Sequence, residues 1–142
     1  MAEIQRTSTG LSGEYFVAAE LLRRGYNVGI TMGNTKAIDI LAERESDKIS
    51  IQVKAIYKKK NICWTLTKDK IIQDDDFFYI FVNLNADRMG SPDYFIATGK
   101  EAFEKCKQYT TRGAVDLSTI NNENFIERWD KLEKKSSMKC QA

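Results

Sequence analysis

Four side chains have the types and spacing for phosphate chemistry around a hard cation: Glu14, Asp39, Gln52 and Lys54. Asp39 sits inside an alternating apolar run, "AIDILAER", and Gln52 and Lys54 stand two apart in a second, "ISIQVKAIY". Oxygen donors suit Mg²⁺, which takes one or two carboxylates and keeps several waters. Asp39 is the anchoring ligand in this reading. The Gln52 side-chain carbonyl and the Val53 backbone carbonyl add neutral oxygens, and Glu14 binds directly or through water. An ion held so lowers the pKa of a bound water and stabilises charge on a phosphate. Lys54 orients that water or offsets phosphate charge in the transition state.

The elements that must position these groups follow from periodicity. "TSTGLSGEYFVAAELLRRGY" predicts an opening helix that Gly25 ends, with Leu11, Tyr15, Ala18 and Leu22 as its apolar stripe and Val17 and Leu21 widening it. Glu14 falls on or beside that stripe, where a carboxylate is costly unless paired, hydrogen-bonded or metal-bound. The two alternating runs predict strands joined by a tight turn at Ser46-Asp47. Alternation puts Ile38, Ile40 and Ala42 on one face of the first strand, and Ser50, Gln52 and Lys54 on one face of the second. That turn sets Asp39 opposite Lys54 and Leu41 opposite Gln52. A bulge would shift the pairing. The ordinary alternative is a cross-strand ion pair between Asp39 and Lys54, with Gln52 a surface neighbour.

Composition excludes much else. His is absent, which removes Ser-His-Asp and Cys-His chemistry and every mechanism with a histidine base, and it argues against a zinc site. Cys63, Cys106 and Cys140 form no CxxC pattern, which suits a reduced intracellular, cytoplasmic setting. No run of about 20 apolar residues is present, so no membrane span and no secretory leader are expected. Lysines are concentrated between Val53 and Lys70, with Asp69 the one acid among them, and a stretch like that is either a phosphate-facing surface or a solvated loop.

Further along, "YNVGIT" predicts a strand, "MGNTK" a loop, "NICWTLT" a short strand or extended arm, and "KDKIIQDDD" one helical turn. "FFYIFVNL" fits a strand buried on both faces. "YFIAT" is a strand, "GKEAFEKCKQ" a helix, and "NNENFIERWDKLEKK" a C-terminal helix packed through Trp129. Trp64 is assigned to the core and Asp74, Asp75 and Asp76 to a solvated turn. The fold class is α/β, a mixed β-sheet flanked by helices. It forms a single domain over 1–135 with a loose tail at 136–142.

With the Glu-bearing helix "GLSGEYFVAAELLRRGY", the Asp strand "KAIDILA" and the element "IQVKAI", the chain resembles the PD-(D/E)xK nuclease superfamily in its QxK form. It is similar there to Holliday-junction resolvases and methylation-directed restriction endonucleases. The likeness is good over roughly residues 10–60 and holds in outline beyond. Ile38 stands in the place of the motif proline and Gln52 in that of an acid. The resemblance implies a restriction-endonuclease-like fold and a Mg²⁺- or Mn²⁺-dependent enzyme cutting DNA. It implies Glu14, Asp39, Gln52 and Lys54 as its catalytic set, with Lys36, Lys58, Lys59 and Lys60 tracking the backbone. A homodimer and no small-molecule cofactor are expected. An inactive nucleic-acid-binding or regulatory module on the same fold is the alternative.

Overall fold

The computed structural model describes residues 6–31, 38–86 and 88–133. A long helix, α1 (Arg6–Arg23), leads into β1 (Asn27–Ile30), β2 (Ile40–Arg44) and β3 (Asp47–Ile56). Then come β4 (Cys63–Leu66), a 3₁₀ turn at Lys68–Lys70, β5 (Phe77–Asn83) and β6 (Asp93–Thr98). The described chain ends with α2 (Gly99–Lys105), β7 (Cys106–Gln108), β8 (Gly113–Asp116), a single turn α3 (Leu117–Ile120) and a 3₁₀ turn at Trp129–Leu132. The main sheet has the order β1-β2-β3-β5-β6, parallel only between β3 and β5. A small antiparallel sheet, β4-β8-β7, packs on one face of it. The expected mixed sheet flanked by helices is the observed architecture.

Two cores follow from strand alternation. On one face Ile40, Ala42, Ile49, Ile51, Phe78, Ile80 and Val82 meet Val17, Ala18 and Leu21 of α1. On the other, Phe77, Tyr79, Phe81, Phe95 and Ala97 are covered by Trp64, Leu66, Val115 and Ala102 from the small sheet and α2. β5 belongs to both cores, so all seven of its residues are buried, as its unbroken apolar run predicts. Trp64 is core, and its indole N–H donates to the Val82 carbonyl at 3.1 Å. Asp74, Asp75 and Asp76 are exposed ahead of β5. The 3₁₀ turn at Lys68–Lys70 falls within the stretch where one helical turn is expected.

Several expectations are corrected. The buried line of α1 is Thr9, Gly13, Val17 and Leu21 with Ala18, while Leu11, Tyr15 and Leu22 face outward. Two of the inward residues are small or polar, so they do not register in an apolar count. Gly25 does end the helix, at φ 93°, a left-handed conformation that suits glycine. "CKQ" leaves the second helix to become β7, and β8 and α3 are elements that the sequence pattern does not mark. No long C-terminal helix forms over Asn121–Glu133. Instead, Phe125 and Glu127 exchange backbone hydrogen bonds with Ile96 and Tyr94 along the outer edge of β6. Phe125 enters one core, and Trp129 and Leu132 the other. A segment that feeds both faces of a sheet cannot keep its apolar residues on one helical side. The tail at 136–142, Cys140 and "MGNTK" lie outside the described residues.

Candidate active site

The hairpin that carries Asp39 turns earlier than the sequence suggests. Arg44 pairs with Asp47, so Glu45 and Ser46 make the turn, with Glu45 at φ 59°. Asp47 is buried and begins β3 instead of sitting in the loop. Arg44 is held in its strand by stacking over the Tyr26 ring at 4.4 Å and by donating to the Arg24 carbonyl. The register slides accordingly: Leu41 faces Ser50, not Gln52, and Ile40 faces Ile51.

At Asp39 the ladder then breaks step. The Asp39 amide donates to the Ile51 carbonyl at 2.9 Å, although Ile51 is already the partner of Ile40. Two residues oppose one, the arrangement of a β-bulge. Side-chain parity shows the same break, since Ile40 points into the α1 core while Ile38 packs against the other core. The expectation that Ile38 and Ile40 share a face is therefore corrected. So is the direct facing of Asp39 and Lys54. A bulge re-aims a side chain. Here the Asp39 carboxylate turns toward β3 and accepts the Val53 amide N–H through Oδ2 at 2.8 Å. Thr31, just past β1, fixes the backbone from the other side. Its amide donates to the Asp39 carbonyl, and its hydroxyl donates to the carbonyls of Ile38 at 2.6 Å and Asp39 at 3.2 Å.

Glu14 approaches from α1. Burial pushes its carboxyl above the ordinary range, and the negative charge of Asp39 pushes it further. Asp39 is raised too, by burial, against the opposing effects of the Val53 N–H and the Lys54 charge. Two carboxylates and one ammonium thus sense one another at the point where β2 has ended and β3 runs on. The N–H and C=O of a strand residue point to the same edge, so the Val53 carbonyl opens toward the Asp39 side. Gln52 and Lys54 alternate with Ile51 and Val53 and are half-buried on the face of β3 away from α1, beside Tyr79 and Phe81 of β5. A groove of about 390 Å³ lies on the same face, lined by Asn27, Gly29, Leu41, Lys48, Ser50 and Asp76. Lys58, Lys59 and Lys60 are exposed beyond the end of β3, and Lys36 lies outside the described residues.

A hard divalent cation fits this donor set. Glu14 and Asp39 are half-buried carboxyls, each pushed upward first by burial and Glu14 further by the Asp39 charge. With the Val53 carbonyl they are oxygen donors of the kind a hard divalent ion would take, and such an ion would favour their ionised form. Among the described residues no three acidic, Cys or His side chains gather, so the site has fewer charges than a cage built wholly of carboxylates. Sequence reasoning missed Thr31 and Gly13. Thr31 gives no signal beyond a hydroxyl at a strand end. Gly13 does give one, because glycine inside a helix costs stability and often marks a close approach.

No protein-family model matches the chain, and no curated protein does. Solved structures do. A bacterial homing endonuclease superposes with a TM-score of 0.65 at 13% identity, over 96% of this chain and 99% of that one. The Holliday junction resolvase Hjc of Archaeoglobus fulgidus superposes with a TM-score of 0.56 at 14% identity, over 85% of this chain and 93% of that one. Both are nucleases of the restriction-endonuclease-like fold, and that fold is the one this chain adopts. Among the described residues no helix is long and apolar enough to cross a membrane.

Proposed function

We propose that this protein is a divalent-metal-dependent endonuclease that hydrolyses DNA phosphodiester bonds. The observation that carries the reading is the aim of Asp39. One carboxylate oxygen is tied to the Val53 N–H, in reach of Glu14 on one side and Lys54 on the other. Asp39 and Glu14 hold the ion together with the Val53 carbonyl, and Gln52 adds a neutral oxygen. Mg²⁺ or Mn²⁺ bound there supplies a water of lowered pKa and offsets phosphate charge. The bulge keeps Asp39 from turning away, and the Val53 N–H keeps one of its oxygens occupied and the other free. Lys54 meets the phosphate or orients the attacking water. Lys58, Lys59 and Lys60, with Lys36, follow the DNA backbone. The open face of β1–β3 offers room for a strand. DNA as substrate is supported by the nuclease neighbours of the fold. A pair of chains would supply the two sites that a double-strand cut needs. Free Cys63 and Cys106 suit a reducing, cytoplasmic setting.

The test is a cleavage panel of supercoiled, linear, single-stranded and branched DNA with Mg²⁺ or Mn²⁺. Asp39→Asn and Lys54→Met should each lower cleavage by at least about 10²-fold, the scale of losing one charge-stabilising group, while the fold is kept. A wild-type protein that cuts none of these forms defeats the proposal. A binding-only module is the second reading, favoured by Gln52 standing where an acid is usual and by the absence of a three-acid cluster among the described residues. It requires salt-sensitive DNA binding that persists in Asp39→Asn without cutting.

A further inference from the structure

We infer that Gly13 is a positioning residue: its missing side chain sets how deeply α1 lies on β3, and so how far Glu14 reaches toward Asp39. The consequence for metal binding rests on the reading proposed above.

The inward side chains of α1 shrink from Leu21 through Val17 to Gly13, with Thr9 buried one turn further on. The contact is tight at Gly13. A Cβ on Gly13 would lie 2.4 Å from the Ala55 Cβ, with the Val53 Cγ1 at 3.5 Å and the Ala55 Cα at 3.7 Å. Only the first distance is impossible. Ala55 is the alanine that ends the core-facing row Ile49, Ile51, Val53 of β3, so smallness on the helix is met by smallness on the strand. Glu14 is the next residue of α1, and Val53, whose amide holds Asp39, is part of the same contact. One close approach therefore joins the elements bearing both carboxylates. Gly10, on the same helix, has nothing within 4 Å of where its Cβ would lie, so glycine there has no packing role.

The experiment follows the approach of α1 to β3 by NOEs between the residue-13 Hα and the Val53 methyls in the metal-free protein, and measures Mn²⁺ affinity by calorimetry. Gly13→Ala should weaken those NOEs and lower Mn²⁺ affinity about tenfold, the usual cost of disturbing a ligand's support. Adding Ala55→Gly removes the clashing Cβ and should restore both readings. Gly10→Ala, with the same gain in helix propensity, should alter neither. If Gly13→Ala does not fold, the double variant carries the test, since it must fold with the wild-type approach and affinity. An unchanged approach of α1 to β3 in Gly13→Ala overturns the inference, and so does a double variant that fails to recover. The NOEs need neither DNA nor metal, so a wild-type protein that cuts nothing would sink the nuclease reading and leave this result standing.

Discussion

The main sheet divides at β3 into two halves that differ in what covers them. β5 and β6 are buried on both faces, under α1 on one side and under the small sheet, α2 and Trp64 on the other. β1 and β2 are covered by α1 alone, and their outer face leaves Leu41 49% exposed beside Glu43 and Gly29. The covered half is apolar apart from Asn83, Asp93 and Thr98 at its strand ends and keeps its strands in regular ladders. The open half contains the bulge, the left-handed Glu45 and the half-buried carboxylates. Left-handed residues occur beside the covered half too, at Asn85, Ala86 and Glu127, but the bulge and the half-buried carboxylates lie in the open half, and β3 belongs to both.

The largest expected effect tests the covered half. Phe81 is fully buried, stacks on Tyr79 and lies 5.4 Å from the Trp64 ring. Phe81→Ala should cost about 3–5 kcal/mol of stability in denaturant titrations. DNA binding per folded molecule should be unchanged. If binding fell in proportion to stability, the two halves would not be separable.

The next test uses the basic arm that leaves β3. Lys58 and Lys60 are exposed and belong to neither core. Lys58→Ala and Lys60→Ala should each weaken DNA binding across sequences and lower the slope of log affinity against log salt by about 1. Unfolding midpoints should stay in place. An unchanged salt slope would reduce this arm to an ordinary solvated loop.

Legibility in the sequence follows the same division. The β5 run, the Trp64 core position and the exposed Asp74–Asp76 turn could be read because unbroken apolarity has few structural solutions. The strands of the open half could be read too, but not their geometry. A two-residue turn can be placed one residue off without disturbing alternation, and the bulge at Asp39 leaves no compositional mark. Asp39 comes within electrostatic reach of Glu14 and Lys54 although the strand pairing differs from the one that simple alternation suggests, because their placement depends on where β2 stops. The buried stripe of α1 departs from the apolar count for a related reason. Hydrophobic counting rewards Leu11 and Leu22 and ignores Thr9 and Gly13, although the helix packs closest where its side chains are smallest. The C-terminal segment shows helical spacing that serves two faces of a sheet edge instead, a tertiary demand that no local pattern records.

A smaller effect comes from titration. Glu14 has a raised pKa in the folded state through burial and the nearby Asp39 charge. A carboxyl raised in this way favours the folded state at pH below its unfolded value, and that contribution is lost as pH rises through the folded value. Metal-free wild type should therefore lose stability relative to Glu14→Gln as pH climbs from below 4.5, the ordinary carboxylate value, through the raised one. With Mn²⁺ present the order should reverse at the upper end, because the ion requires the ionised carboxylates. Melting curves across this window, with and without Mn²⁺, read both signs. The same slope in both proteins would mean that neither burial nor the Asp39 charge raises Glu14.

The smallest effect concerns the turn that fixes the hairpin register. Glu45 occupies the left-handed region at φ 59°, which costs a non-glycine residue about 1 kcal/mol, while glycine gives back part of that through its greater freedom when unfolded. Glu45→Gly should therefore stabilise the protein by a few tenths of a kcal/mol, up to about 1 kcal/mol. The side chain is exposed, so nothing else is removed. The useful readout is local. Amide exchange at Val53 reports the hydrogen bond to Asp39 Oδ2, eight residues along the hairpin from the turn. If the turn sets the register and the register aims Asp39, relieving Glu45 should slow exchange at Val53 as well as near the turn. Slower exchange confined to Arg44 and Asp47 would assign the aim of Asp39 to the bulge and Thr31 alone.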